Sequence, residues 1–86
     1  MCKAFTIITT KPDEICDFIV NDIQHGATIY DAKGVYTGDD RKVIVTVCRQ
    51  SETLRLRKMV KKIDPDCFVI LTKTSEITGK GFMDLD

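Results

Sequence analysis

Residues 4–9, rich in β-branched and aromatic side chains, predict a first strand, and Thr10-Lys11-Pro12-Asp13-Glu14 then carries the marks of a helix start. Proline suits the first helical turn, and acids there face the positive end of the helix dipole. Ile15, Phe18, Ile19 and Ile23 follow at the spacing of one buried helical face, which predicts a helix over residues 12–24 with Gly26 as its C-terminal stop. A second strand is expected over residues 27–32, resuming after Gly34 through residues 35–37. Gly38-Asp39-Asp40 reads as a turn, and the β-branched run over residues 42–48 as the return strand of a hairpin. Ser51 or Gln50 is placed to cap a second helix, whose apolar stripe is Leu56, Met59, Val60 and Ile63 and whose end is Asp64-Pro65. Residues 67–72 form the last strand, leading through Thr74-Ser75-Glu76-Ile77 into a glycine turn.

The order is βαββαβ. Four such strands and two amphipathic helices are most simply buried as an α+β ferredoxin-like sandwich, a four-stranded antiparallel sheet with both helices on one face. The other face should then be polar, yet Val43, Val45 and Val47 alternate with Ile44, Thr46 and Cys48, so both sides of that strand are apolar. Something is expected to cover the open face: a second or third copy of the chain, or another part of a larger protein.

Composition narrows the function classes. With 86 residues the chain makes one small domain, residues 1–86, near the size at which burying enough apolar surface becomes hard. Thirteen basic against thirteen acidic residues leave no net charge, which argues against a nucleic-acid partner held by bulk electrostatics. The sequence has no apolar run of the ~18 residues that a membrane span needs and no charged-then-apolar leader, so the polypeptide is expected to be soluble. Cys2, Cys16, Cys48 and Cys67 are widely spaced without a C-x-x-C pair, which fits a reducing compartment; the last three fall in apolar segments where a free thiol acts as a small hydrophobe, and Cys2 at the terminus is uninformative.

Candidate chemistry is sparse. The most distinctive segment is Ile77-Thr78-Gly79-Lys80-Gly81-Phe82, where two glycines free the backbone N–H groups to approach a ligand and Lys80 adds a full positive charge. A plain glycine turn is the alternative. Gly34 within Ala32-Lys33-Gly34-Val35-Tyr36-Thr37-Gly38 marks either a strand bulge or a close backbone approach; in the latter case Tyr36 is suited to stacking on a ring and Thr37 to bonding a phosphate. Phe82 either joins that pocket or staples the tail to the core. His25 lies at the end of the first helix, where an imidazolium favours the carbonyl terminus, and no acid stands near it in a catalytic spacing. Asp13, Glu14, Asp17, Asp22, Asp39 and Asp40 occupy solvated positions, and Ser51 is accounted for as a cap. No catalytic residue, metal site or cofactor is expected. Arg55, Arg57, Lys58, Lys61 and Lys62 load the second helix with positive charge, either as a solvated face or as one turned to a membrane.

Four segments, His25-Gly26-Ala27-Thr28, Lys33-Gly34-Val35-Tyr36-Thr37-Gly38, Ile63-Asp64-Pro65-Asp66-Cys67-Phe68 and Gly79-Lys80-Gly81-Phe82, in this order and at these intervals, resemble the C-terminal domain of YitT-type bacterial membrane proteins. His25 stands where that family is expected to favour arginine. The resemblance implies a cytoplasmic domain of a multi-pass membrane protein, the present chain being one piece of it. In outline the domain is similar to PII-like signalling proteins, ferredoxin-like trimers that bind nucleotides between subunits, although its hairpin is shorter than theirs. The resemblance thus implies a non-enzymatic regulatory domain binding a small anionic, nucleotide-like ligand. Gly79, Lys80, Gly81 and Phe82 are the first contacts and Gly26, Thr28, Gly34, Tyr36 and Thr37 the second rank. An assembly module with no ligand is the competing expectation.

Overall fold

The computed structural model describes residues 2–74. Strand β1 (Cys2–Thr9) leads into helix α1 (Pro12–Phe18), which continues without a break into a π-helical turn over Ile19–Ile23. β2 (Thr28–Lys33) and β3 (Asp40–Arg49) form the hairpin, a 3₁₀ turn (Gln50–Glu52) opens into α2 (Thr53–Ile63), and β4 (Phe68–Thr74) closes the sheet. The strand order is β2-β3-β1-β4, with every neighbouring pair antiparallel. This is the expected α+β ferredoxin-like arrangement.

Alternation decides which side chains meet the helices. Phe5 and Ile7 of β1 and Ile44 and Cys48 of β3 are fully buried with Ile15 and Ile19 of the first helix and Leu56 and Val60 of α2. The π turn explains the spacing in the first helix. Ile15, Ile19 and Ile23 recur every four residues, which would drift around a 3.6-residue helix; the wider π turn keeps Ile19 and Ile23 on the sheet side.

Local expectations needed correction at three places. The helix stop is Gln24, not Gly26: Gln24 takes the left-handed conformation (φ 63°, ψ 41°), and its N–H closes the π turn on the Ile19 carbonyl. The second strand does not resume through residues 35–37. Its pairing ends at Lys33 opposite Asp40, and residues 34–39 are the hairpin loop, held by Gly34 N–H on the Asp39 carbonyl and Gly38 N–H on the Gly34 carbonyl. Neither Ser51 nor Gln50 caps the second helix. Glu52 reaches back to accept the Arg49 N–H at 2.8 Å, and the Thr53 hydroxyl donates to the Arg49 carbonyl.

Asp64 is both the stop of α2 and a buried carboxylate, 6% exposed. It accepts the Thr9 hydroxyl at 2.6 Å and the Asp66 N–H at 3.2 Å, tying the end of β1 to the loop before β4. The Thr9 bond foremost holds its carboxyl below the ordinary carboxylate range. A carboxylate whose pKa falls on folding contributes stability above its unfolded pKa of about 3.9, and loses it as pH drops through the folded value. Asp64→Asn should therefore lower stability in urea unfolding at neutral pH by about 1–3 kcal/mol. Its deficit relative to the parent chain should narrow on acidification below about pH 4.

Candidate functional site

The open face of the sheet is apolar. One row across it runs Tyr30, Val43, Ile8, Phe68, and the next Thr28, Val45, Thr6, Ile70. Phe68 is 69% exposed, and Tyr30 and Ile70 are each 52% exposed, so large apolar side chains lie in solvent where helices would cover them on the other side. At the hairpin end of this face lies a hollow of about 320 Å³, floored by Ile8, Val43 and Phe68 and rimmed by Gly34, Tyr36 and Thr37. Beside Tyr36, Val35 is also fully exposed at the hairpin tip.

Loop side chains close over Gly34. A Cβ there would lie 2.7 Å from an Asp39 carboxylate oxygen and 2.9 Å from the Thr37 hydroxyl, so the position is a close approach, not a strand bulge, and a side chain would push these two exposed groups aside. Asp39 organises the loop. It accepts the Thr37 hydroxyl and takes Arg41 through both Nε (3.3 Å) and Nη2 (3.2 Å). The Thr37 bond, followed by that of Arg41, holds its carboxyl below the usual range. The two groups suited to a phosphate, a hydroxyl and a guanidinium, are therefore already engaged by an internal anion.

The candidate residues fall at two ends of the molecule. Gly34, Tyr36 and Thr37 gather at the hairpin, whereas Gly26 and Thr28 precede and begin β2, roughly 20 Å away along the strand at ~3.3 Å per residue. Antiparallel pairing places the exit of β4, Thr74 opposite Cys2, at that second end. Gly79, Lys80, Gly81 and Phe82 follow it in sequence and lie outside the described residues. A single copy of the sheet thus separates the hairpin from the strand end that precedes the glycine-framed lysine.

His25 has a partner that its neighbourhood in sequence did not reveal. Its Nε2 lies 2.8 Å from Glu52 Oε1, bridging the entry to β2 and the start of α2. Burial pushes the Glu52 carboxyl up, but the Arg49 N–H and His25 outweigh it and hold it below the ordinary range. The end of the first helix is also met by Arg55, whose guanidinium donates to the Asp22 carbonyl at 3.1 Å. The four cysteines are free thiols; Cys48 is buried beside Thr53, and burial pushes its thiol up. Sequence reasoning also passed over Arg41 and Phe68 at the hollow, because only strand register carries them there.

Gly26 and Gly34 should respond oppositely to alanine. Space around Gly26 is open and its φ is not left-handed, so Gly26→Ala should leave the melting temperature unchanged or slightly raised. Gly34→Ala should lower it, and should lower it less in an Asp39→Ala background, where the nearest obstructing oxygen is gone. Thermal unfolding of the four variants checks both.

Comparison with known proteins places this geometry in a family. Residues 25–79 match the family described as "Uncharacterized protein conserved in bacteria (DUF2179)", a stretch that holds the His25–Glu52 bridge, the hairpin and α2. The chain is 38% identical over 80 residues to the UPF0750 membrane protein YvjA of Bacillus subtilis (strain 168), covering 93% of this chain and 28% of that protein. To the UPF0750 membrane protein YitT of the same organism it is 34% identical over 73 residues, 85% of this chain and 26% of that one. The crystal structure of a DUF2179 protein from Eubacterium ventriosum superposes with a TM-score of 0.67 at 28% identity, over 84% of this chain and 99% of that chain. The chain therefore spans about a quarter of the curated membrane proteins that it resembles. Among the described residues no helix is long and apolar enough to cross a membrane, and the match over residues 25–79 shows that the chain belongs to the DUF2179 family.

Proposed function

We propose that this chain is a non-enzymatic regulatory domain on the cytoplasmic side of a multi-pass membrane protein. In this reading it assembles through its open sheet face and binds a small anionic, nucleotide-like ligand at the boundary between copies. The observation that carries it is the apolar open face ending in the hairpin hollow. Phe68, Ile70 and Tyr30 stand half-exposed or more beside a cavity of about 320 Å³, within the usual size range of small-molecule sites.

Assembly also answers the separation of the candidate residues. A twofold axis parallel to the sheets, midway between two facing copies and perpendicular to the strands, sets the hairpin end of one copy against the opposite strand end of the other. Tyr36 and Thr37 of one copy would then lie at the same end of the assembly as Thr74 of its partner, the strand end that precedes Gly79, Lys80 and Gly81 in sequence. Phosphate binding at the hairpin would displace the Asp39 carboxylate from Thr37 and Arg41, and so change the loop that the rest of the protein senses. A ligand-free assembly module is the second reading. The occupied state of Thr37 and Arg41 favours it.

A thermal-shift screen against nucleotides, cyclic dinucleotides and phosphorylated metabolites separates the two. A true ligand at 100 times its dissociation constant should stabilise the fold by about 2.7 kcal/mol. Lys80→Ala should abolish that shift, and Asp39→Ala should strengthen binding by removing the competing anion. Phe68→Asp should reduce concentration-dependent mass in sedimentation under either reading. No shift with any compound, from a folded and associating domain, would leave the assembly module.

A further inference from the structure

The second charged feature of the molecule lies far from the hairpin. Every acidic residue of the stretch from Thr53 to Ile63 is missing, while Arg55, Arg57, Lys58, Lys61 and Lys62 are all exposed. Buried Leu56 and Val60 fix the rotation of α2. At ~100° per residue, Lys58 then points directly outward with Leu54 and Lys62 to either side, and Lys61 and Arg57 follow on the Leu54 flank. Leu54 is 52% exposed in the middle of this charge.

That flank overlooks a groove of about 700 Å³ between α2 and the edge strand β4. Cys67, Val69 and Leu71 make its floor, and Arg57, Lys58 and Lys61 stand over it. The acids of the first helix lie elsewhere. Arg55, on the opposite flank of α2, is the residue that reaches that helix through the Asp22 carbonyl. Lys61 donates to the Pro65 carbonyl, and among the described residues no carboxylate forms an ion pair with Arg57, Lys58 or Lys61. Asp66, exposed beyond the helix end, is not part of the groove lining.

We infer that this α2–β4 flank rests on an anionic phospholipid surface, with Arg57, Lys58 and Lys61 at the phosphate headgroups and Leu54 dipping below them. The charge is complementary to the cytoplasmic leaflet, and an apolar side chain amid cations is the pattern of an interfacial helix, whereas nucleic acid offers Leu54 nothing. The relatives are membrane proteins of which this domain is about a quarter, so a bilayer is close by in their case. The surface is independent of the hairpin hollow. It turns the flank of β4 to the lipid and leaves the open sheet face free to associate.

Co-sedimentation of the full chain with vesicles of phosphatidylglycerol and phosphatidylcholine, against vesicles of phosphatidylcholine alone, tests it. Binding should require the anionic lipid and should weaken steeply above about 0.1 M salt, where the screening length drops below ~10 Å. Lys58→Glu with Lys61→Glu should cut partitioning by at least about tenfold, and Leu54→Gln should weaken it with the charge unaltered. Lys11→Glu, which makes the same change of net charge as Lys58→Glu but away from the groove, should have little effect. Equal binding to neutral vesicles, equal losses in Lys11→Glu and Lys58→Glu, or no binding at all would overturn the inference. So would tighter binding to duplex DNA at the same salt, lost in the same variants, which would make the flank a nucleic-acid surface. Because α2 lies outside the hairpin site, a blank ligand screen leaves this result untouched, and a blank vesicle assay leaves the ligand reading standing.

Discussion

A four-stranded sheet with apolar residues on both sides and helices for only one is the constraint on which the molecule turns. Phe5, Ile7, Ile44 and Cys48 are closed off by Ile15, Ile19, Leu56 and Val60, and that side forms a dry core. Across the same strands, Tyr30, Phe68 and Ile70 stand half-exposed or more, with no second layer over them from residues 2–74. At about 25 cal/mol per Å², apolar area left in water is free energy still to be gained by contact. The sheet is thus stable through one face and available through the other, and the division follows from strand alternation alone.

How much of this could be read from the chain varies with the range of the interaction. The β-branched alternation of residues 43–48 and the spacing of Ile15, Ile19 and Ile23 are local, and they indicated sheet, helices and open face correctly. Gln24 was not legible, because a glycine two residues on offered a conventional stop, whereas the π turn had already brought the chain round. Val35 and Tyr36 have the side chains of a strand. They lie in a loop because Asp39 folds over Gly34 and ends the ladder at Lys33. The Thr9–Asp64 and His25–Glu52 contacts join residues 55 and 27 positions apart, and no local pattern announces such pairs. Of the candidate site, the hairpin part could be found from its glycine and aromatic; Arg41 and Phe68 could not, since register alone brings them there.

Charge is partitioned as sharply as hydrophobicity. A net charge of zero conceals an acidic first helix, with Asp13, Glu14, Asp17 and Asp22, beside a cationic α2. Summed over the chain these cancel, which is why overall composition argued against an anionic partner. Summed over one flank they do not, and screening lengths of about 8 Å at physiological salt make the local sum the one that a nearby surface feels.

The position of β1 at the centre of the sheet also sets the order in which the domain can form. Its neighbours are β3, from Asp40 to Arg49, and β4, which begins only at Phe68. Within residues 2–74 the first strand is therefore completed by the last, and the loop closed between them spans most of that stretch. Such non-local pairing places folding toward the slower end for domains of this size. Until β4 arrives, one side of β1 remains an unpaired edge. For a domain in a longer polypeptide, that interval is when another strand can take the place of β4, making the arrival of Phe68–Thr74 the step that commits the chain to this fold.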